Sequence, residues 1–469
     1  MKRTRIETRI LCGAALAAAI AFGAAPAHAQ KQTPPEGGPP KAFTVPAHES
    51  YTLPNGLKVT LVPYGIIPKV TVSVALDAGG VDEGGGRSGL SGLTGDFLKE
   101  GTTSLTSDQL STETARMGSS LDINAGVDQT TVGLDVLAEF GPAAVRLLAD
   151  VLEHPRFPET ELGRLKNDLL RSIAVRNSRP QTIAAARFRK ILYGDHPYGI
   201  VVPAEDDVKK LSEGDVRSYY QANFSARRAH LYVAGKFNTA EVKKAVAESF
   251  GKWAAGTART ETPPAPKPRK VLDVTDRPGA PQSTLVVGLP VLPPNSPDAV
   301  SFLVMNSLLG GSFNSRITAN IREQKGYTYS PFSEYSRRYH DGYWAERADV
   351  TTQFTGASLK EIFAEITRLG NQAPAAQELK GIQNYMSGVF VIQNSSRGAL
   401  ITQLQYVDAQ GLGDDYLRTF VARVNAVTPE TVQGMCRRYL SPADMTIVVV
   451  GDKSKITEQL AAFAPPPGQ

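Results

Sequence analysis

An arginine and a tyrosine that could act together lie close in the C-terminal half of the sequence, at Arg322 and Tyr329. An arginine carries a permanent charge and forked donors that can hold a peptide carbonyl or a carboxylate. A tyrosine hydroxyl can donate a hydrogen bond to a developing oxyanion. Side chains of these two types could therefore hold and polarise a carbonyl group. An exposed arginine and a tyrosine at the edge of the core, after a glycine turn, would give the same spacing.

Histidines that could ligate a metal are few and show no ligand spacing. The five that follow the N-terminal region are His48, His154, His196, His230 and His340. The glycines Gly84, Gly85 and Gly86 could suggest a phosphate-binding loop, but no Gly-Lys-Ser/Thr follows them. They indicate a flexible segment instead.

Composition divides the chain into six segments. We predict a signal peptide over residues 1–29, a flexible leader over 30–45, two domains over 46–255 and 271–463, a proline-rich linker over 256–270 and a tail over 464–469. Four basic residues precede an apolar run, and Ala27-His28-Ala29 is a small-x-small cleavage site. The apolar run is shorter than the ~20 residues of a membrane span. We therefore expect a periplasmic protein.

The net charge and the cysteine content argue against several classes of function. The signal peptide holds four bases and one acid of the totals of 51 and 46, so the mature chain has a net charge of +2. This near balance argues against nucleic acid as a partner, and no other apolar run is long enough to span a bilayer. Cys436 is the only cysteine after the signal peptide, and it is predicted to be a buried apolar residue rather than a reactive thiol.

Apolar residues recur with strand period and with helical period in each half, which predicts an α+β fold. The predicted strands are 57–62, 69–76, 119–125, 130–137, 283–287 and 342–350, and the predicted helices are 142–152, 159–176, 181–192 and 297–309. The segment Leu211–Gly235 aligns without gaps on Val427–Gly451, and each copy reads helix, short loop, strand, glycine, helix. We therefore predict two homologous α/β half-domains, a duplication joined by the linker into a half-shell.

The segment Gly89–Thr102 resembles the zinc-site helix of the pitrilysin/insulysin family, which includes the mitochondrial processing peptidases. The family pattern there is roughly Gly-Leu-Ala-His-Phe-Leu-Glu-His-Met-x-Phe-x-Gly-Thr, and this chain keeps its length and both ends. The two histidines fall on Gly92 and Asp96, and the catalytic glutamate falls on Gly95. An inverted zincin site needs two imidazoles and a glutamate on one helical face. The resemblance therefore predicts degenerate metal-site positions and no cofactor bound by this chain.

A second match to the same family begins at Gly310-Gly311 and continues through Arg322 to Ser330. It resembles Gly-Gly-x-x-x-Ser-Arg-Leu followed by Arg-Glu-x-x-Gly-x-x-Tyr-Ser. In that family this Arg and Tyr reach the active site from the C-terminal domain and contact the substrate near the scissile carbonyl. The resemblance assigns these roles to Arg322 and Tyr329 and adds glycine-rich segments as substrate contacts. Further matches are Asn55-Gly56-Leu57, Asp82-Glu83 and His196-Pro197-Tyr198-Gly199.

The resemblance implies a non-catalytic, substrate-binding subunit of a heterodimeric bacterial zinc metallopeptidase. A homologous partner subunit would supply zinc and the catalytic glutamate, and the two half-shells would close around an unfolded peptide. One alternative is a peptide-binding or structural scaffold of the same fold with no proteolytic role. Another is an independently active peptidase, which would need a different metal site. An adjacent gene that encodes His-x-x-Glu-His would favour the peptidase pair, whereas the sequence alone leaves both heterodimer and homodimer open.

Overall fold

Two sheets organise residues 44–260, 263–413 and 415–465, which are the parts of the chain that the computed structural model describes. In these ranges the strands are β1 (Glu49–Thr52), β2 (Lys58–Pro63), β3 (Lys69–Leu76), β4 (Asp122–Ala125), β5 (Thr130–Leu137), β6 (Ala229–Gly235), β7 (Val271–Asp276), β8 (Gln282–Val291), β9 (Phe332–Arg338), β10 (Asp341–Thr351) and β11 (Thr446–Gly451). The first sheet has the order β1-β2-β6-β3-β5-β4 and the second β7-β11-β8-β10-β9. The predicted signal peptide and nearly all of the leader lie outside the described residues.

Helices pack against the two sheets and complete the mixed α/β architecture. They are α1 (Leu90–Phe97), α2 (Ser107–Arg116), α3 (Gly141–Glu153), α4 (Glu159–Asn177), α5 (Pro180–Tyr193), α6 (Glu205–Lys210), α7 (Glu213–Asn223), α8 (Thr239–Phe250), α9 (Ala299–Asn306), α10 (Thr355–Asn371), α11 (Ala376–Gln393), α12 (Arg397–Ala409), α13 (Asp415–Asn425), α14 (Pro429–Tyr439) and α15 (Lys453–Leu460). Among these described helices, none combines the length and the apolar character of a membrane span.

The predicted duplication is confirmed by the topology of the two sheets. In the first sheet β6 pairs in parallel with β2 and antiparallel with β3, and in the second β11 pairs in parallel with β7 and antiparallel with β8. The helix before each of these strands begins at an equivalent hydroxyl cap, Ser212 before α7 and Thr428 before α14. A helix follows each strand. The repeat found in the sequence is therefore a repeat of structure.

Each half places one helix on the sheet of the other half. Helix α5 of the first half packs on β8 and β11, where Phe188 is fully buried with its ring 5.5 Å from the ring of Tyr343. Helix α12 of the second half packs on β3 and β6, and Arg397 Nη2 lies 3.1 Å from Asp135 Oδ1. This reciprocal exchange joins the halves within one compact unit, Ala42–Gln469. The two halves are therefore held together by these helix–sheet contacts as well as by the proline-rich linker.

Local patterns predicted most elements, with one informative difference. The strands at 69–76 and 130–137 are observed with the predicted limits, and Cys436 is fully buried, where burial raises the pKa of its thiol to about 12. The helix predicted over 297–309 instead ends at Asn306 and continues as a π-helical turn, Ser307–Gly311. This turn brings the glycine pair against the second sheet, as described below.

Candidate functional site

Glu83 anchors the start of α1, the helix that corresponds to the zinc motif. Its carboxylate accepts hydrogen bonds from the Ser91 N–H at 2.8 Å, the Ser91 hydroxyl at 2.6 Å and the Gly89 N–H at 3.1 Å. Burial raises the pKa of Glu83, and these donors oppose the rise by stabilising the ionised form. The N–H groups that a helix start leaves without partners are thus satisfied by a side chain from the preceding loop. Glu83 was noted in the sequence only as a family match.

The three degenerate positions on α1 have separate structural roles. A Cβ added at Gly92 would meet no atom within 4 Å, so this position faces open space. At Gly95 an added Cβ would lie 3.3 Å from Ile123 Cγ2, which shows that the helix packs closely on β4. Asp96 lies 3.6 Å from Lys99 in an exposed ion pair. Glycine lowers the intrinsic stability of a helix. Because α1 contains two glycines, its stability depends on this packing.

The residues around α1 do not fit a zinc ion. Within the described ranges, no group of three or more His, Cys, Asp or Glu side chains could hold a metal. Helix α4 supplies Leu169, an apolar residue, to the same cavity as Gly92. Two glycines and one carboxylate thus replace the ligands and the general base that the chemistry needs.

The triple glycine lies in the exposed loop that precedes α1. Gly84 and Gly86 have φ values of 73° and 74°, a backbone conformation that favours glycine. All three glycines are exposed, and a Cβ added at Gly85 or Gly86 would meet nothing within 4 Å. The loop is therefore accessible to a bound chain.

The second glycine pair is packed into the interior of the second half. Gly310 is buried in the π-helical turn, and a Cβ there would lie 2.5 Å from Ser333 Oγ and 2.6 Å from Glu346 Oε2. Glu346 is 1% exposed, and burial raises the pKa of its carboxyl well above the ordinary range. Gly311 is half-buried. Gly310 therefore serves close packing, and any contact of this pair with a substrate falls to Gly311.

Arg322 and Tyr329, predicted to act together, are adjacent in the structure. Arg322 lies on a second π-helical segment, Thr318–Gln324, a geometry that often marks functional sites. Its guanidinium carbon is 4.8 Å from the centre of the Tyr329 ring and 4.4 Å from that of Phe313. Tyr329 is 78% exposed and Phe313 is 63% exposed. We refer to these three residues as the arginine–aromatic cluster.

Phe313 was not identified as a site residue from the sequence. The signal that could have identified it is the presence of a large aromatic residue in a glycine-rich turn. Its ring and that of Tyr329 both lie near one guanidinium, and cation–π attraction stabilises such contacts. Arg322 Nε lies 3.1 Å from Glu323 Oε1. The remaining guanidinium donors and the Tyr329 hydroxyl can bind a peptide carbonyl on the surface.

Thr328 fixes the backbone between the two neighbouring tyrosines. It pairs with Val350, and its hydroxyl donates to the Asp349 carbonyl at 2.7 Å. Tyr327 is half-buried and stacks on Phe354 at 4.4 Å. The two tyrosines therefore have different neighbours, and only Tyr329 belongs to the arginine–aromatic cluster.

Comparison with known proteins identifies the family to which this chain belongs. Residues 65–203 match the model described as Insulinase (Peptidase family M16), and residues 210–386 match that described as Peptidase M16 inactive domain. The chain belongs to the peptidase M16 family, and it is a member that lacks the zinc motif. The predicted family and the mixed α/β fold of two homologous domains are confirmed.

Individual relatives are distant but span most of the chain. A Bacillus subtilis protein named "Uncharacterized zinc protease YmxG" is 25% identical, over 83% of this chain and 94% of its own. A Helicobacter pylori protein named "Non-peptidase homolog YmxG" is 20% identical, over 83% and 90%. A crystal structure described as a peptidase M16 inactive domain, from Pseudomonas fluorescens, has a TM-score of 0.80 at 22% identity, and covers 86% of this chain and 98% of that one. The last likeness establishes the fold.

Proposed function

We propose that the mature chain is the non-catalytic, substrate-binding subunit of a heterodimeric zinc metallopeptidase in the periplasm. The observation that carries this proposal is the arginine–aromatic cluster, exposed on an M16 fold whose motif helix lacks the zinc ligands. A half-buried arginine that contacts an exposed tyrosine and an exposed phenylalanine is suited to bind another molecule. The name of the Helicobacter pylori relative supports the absence of peptidase activity in the isolated chain.

In this arrangement each subunit contributes half of the chemistry. A zinc-bearing homologous partner supplies the metal and the catalytic glutamate. Arg322 holds a carbonyl of the unfolded peptide, and the Tyr329 hydroxyl donates to the oxygen on which negative charge develops. The glycine loop Gly84-Gly85-Gly86 and Gly311 are accessible backbone that can approach the bound chain. The absence of a large net charge on the mature chain is consistent with a peptide rather than nucleic acid as ligand.

A scaffold with no proteolytic role is the second candidate function. The reciprocal placement of α5 and α12 makes the two halves one unit, which would suit a structural subunit as well as an enzyme. Substitution of Tyr329 should lower peptide turnover if the chain is a substrate-binding subunit, and it should have no such effect if the chain is a scaffold.

We predict that the isolated mature chain binds no stoichiometric zinc and cleaves no peptide. The reason is the replacement of both imidazoles and the general base by Gly92, Asp96 and Gly95. Purified protein should be examined by elemental analysis after exposure to equimolar zinc and gel filtration. About one tightly held zinc per chain would contradict the proposal, whereas a trace of loosely bound metal that a chelator removes would agree with it.

A further inference from the structure

A cavity of about 460 Å³ lies at the degenerate metal-site helix. Six of its lining residues carry the argument: Gly92, Val127, Leu169, Arg176, Arg189 and Ile200. Because a Cβ at Gly92 would meet nothing within 4 Å, the wall formed by α1 is open where a zinc ligand would stand. The cavity thus combines an apolar surface with two guanidinium groups.

The two arginines in this cavity have no acidic partner. Arg176, near the end of α4, donates to the Val201 carbonyl at 2.6 Å. Arg189, on α5, donates to the Tyr343 hydroxyl at 3.3 Å, and its Nε is buried without a hydrogen-bond partner. Across residues 44–260, 263–413 and 415–465, no carboxylate forms an ion pair with either guanidinium. A partly buried charge without a counter-charge is unfavourable, so an anion that enters the cavity gains their attraction.

The other charged group in the cavity wall is Glu83. Its carboxylate accepts hydrogen bonds from Gly89 and Ser91 at the start of α1, so the helix terminus is not free for an anion. Among the described residues, Glu83 forms no ion pair with Arg176 or Arg189. The arginines therefore determine which ligand the cavity accepts. Their planar, forked donors match a carboxylate, which can accept two parallel hydrogen bonds from one guanidinium.

We infer that this cavity binds a carboxylate of the unfolded peptide, with Arg176 and Arg189 as its ligands and the apolar wall around Leu169 in contact with the adjoining side chain. The inference rests on the proposed function, since it names part of the substrate that this subunit selects. The carboxylate can be the C-terminus of the peptide or an internal acidic side chain. The degenerate helix would then serve recognition, with the space left by the lost histidine occupied by substrate.

The test measures binding of unlabelled, N-acetylated, unstructured peptides to the isolated mature chain by isothermal titration calorimetry. Three forms of one peptide are compared: a free C-terminal acid without internal acidic residues, its C-terminal amide, and the amide with one internal glutamate. We expect at least one acidic form to bind about tenfold or more tighter than the uncharged amide. The form that does so distinguishes a C-terminal from an internal carboxylate.

Substitutions locate this preference. Arg176→Gln and Arg189→Gln should each weaken binding of the acidic form about tenfold, which corresponds to about 1.4 kcal/mol, and should leave the uncharged amide unaffected. Gly92→Leu should fill part of the cavity, because a Cβ at this position meets nothing within 4 Å. Two matched controls are Arg171→Gln, an exposed arginine of α4 that pairs with Asp168, and Gly163→Leu, whose added side chain also meets open space. Both controls should retain the preference.

The inference would be overturned by equal binding of all three peptides or by the failure of both acidic forms to bind at millimolar concentration. It would also be overturned by an acid preference that survives Gly92→Leu together with both arginine substitutions. The proposed function is judged separately, by the turnover of mixed subunits and its dependence on Tyr329. A pair that needs Tyr329 but not Arg176 or Arg189 would therefore refute the carboxylate site alone.

Discussion

Tyr329→Phe is expected to lower kcat of the assembled two-subunit peptidase about 10²–10³-fold, or roughly 3–4 kcal/mol of transition-state stabilisation. The change removes the hydroxyl that we propose donates to the developing oxyanion. Because the Tyr329 side chain is 78% exposed, neither folding nor the amount of complex should change. Steady-state kinetics on a peptide reporter, with complex formation followed in parallel, measure both quantities.

Tyr327→Phe is the matched control for position and chemistry. Its ring stacks on Phe354 rather than on Arg322, so loss of its hydroxyl should be nearly silent. Arg322→Ala removes the group that is proposed to hold the carbonyl, and it should affect both turnover and apparent affinity. If the two tyrosine variants behave alike, or if Tyr329→Phe keeps full activity, the cluster has no role in catalysis and the scaffold function is favoured.

Gly310→Ala is expected to destabilise the fold by about 2–3 kcal/mol, because overpacking a close contact displaces its neighbours. The added methyl would press on Ser333 Oγ at 2.5 Å and on the buried carboxyl of Glu346 at 2.6 Å. The second sheet fixes both groups, so the π-helical turn must shift. Chemical unfolding monitored by circular dichroism gives the free energy of unfolding.

Gly388→Ala is the control for this change, since Gly388 is an exposed position of helix α11 where an added Cβ would meet nothing within 4 Å. It should stabilise the protein by up to about 1 kcal/mol through helix propensity. A Gly310→Ala variant as stable as the native chain would show that the turn adapts and that the glycine is not required for packing.

The sequence predicted those features that depend on local pattern. Alternation of apolar residues identified β3 and β5, and the ungapped match of Leu211–Gly235 to Val427–Gly451 revealed the duplication. Arg322 and Tyr329 were identified because the residues around them match the family pattern. These signals lie within short segments, where residue type and spacing are sufficient.

Features that arise from contacts distant in sequence were not predictable. The exchange of α5 and α12 between halves leaves no local pattern, since each helix is amphipathic whichever sheet it covers. Phe313 joins Arg322 only because a π-helical turn follows α9. Arg176 and Arg189 line the same cavity only because α4 and α5 pack side by side. Their spacing in the sequence does not distinguish them from arginines exposed to solvent.

The most direct test of the central claim is the activity of this chain mixed with the proposed zinc-bearing partner subunit. A tagged mature chain would be isolated from its native host envelope, and a co-purifying M16 subunit with His-x-x-Glu-His would be expressed separately. Light scattering and peptide cleavage are then measured for each subunit alone and for the mixture. The account predicts a one-to-one complex, with cleavage only in the mixture. No complex at micromolar concentrations across salt conditions, or full activity of the zinc-bearing subunit by itself, would contradict it.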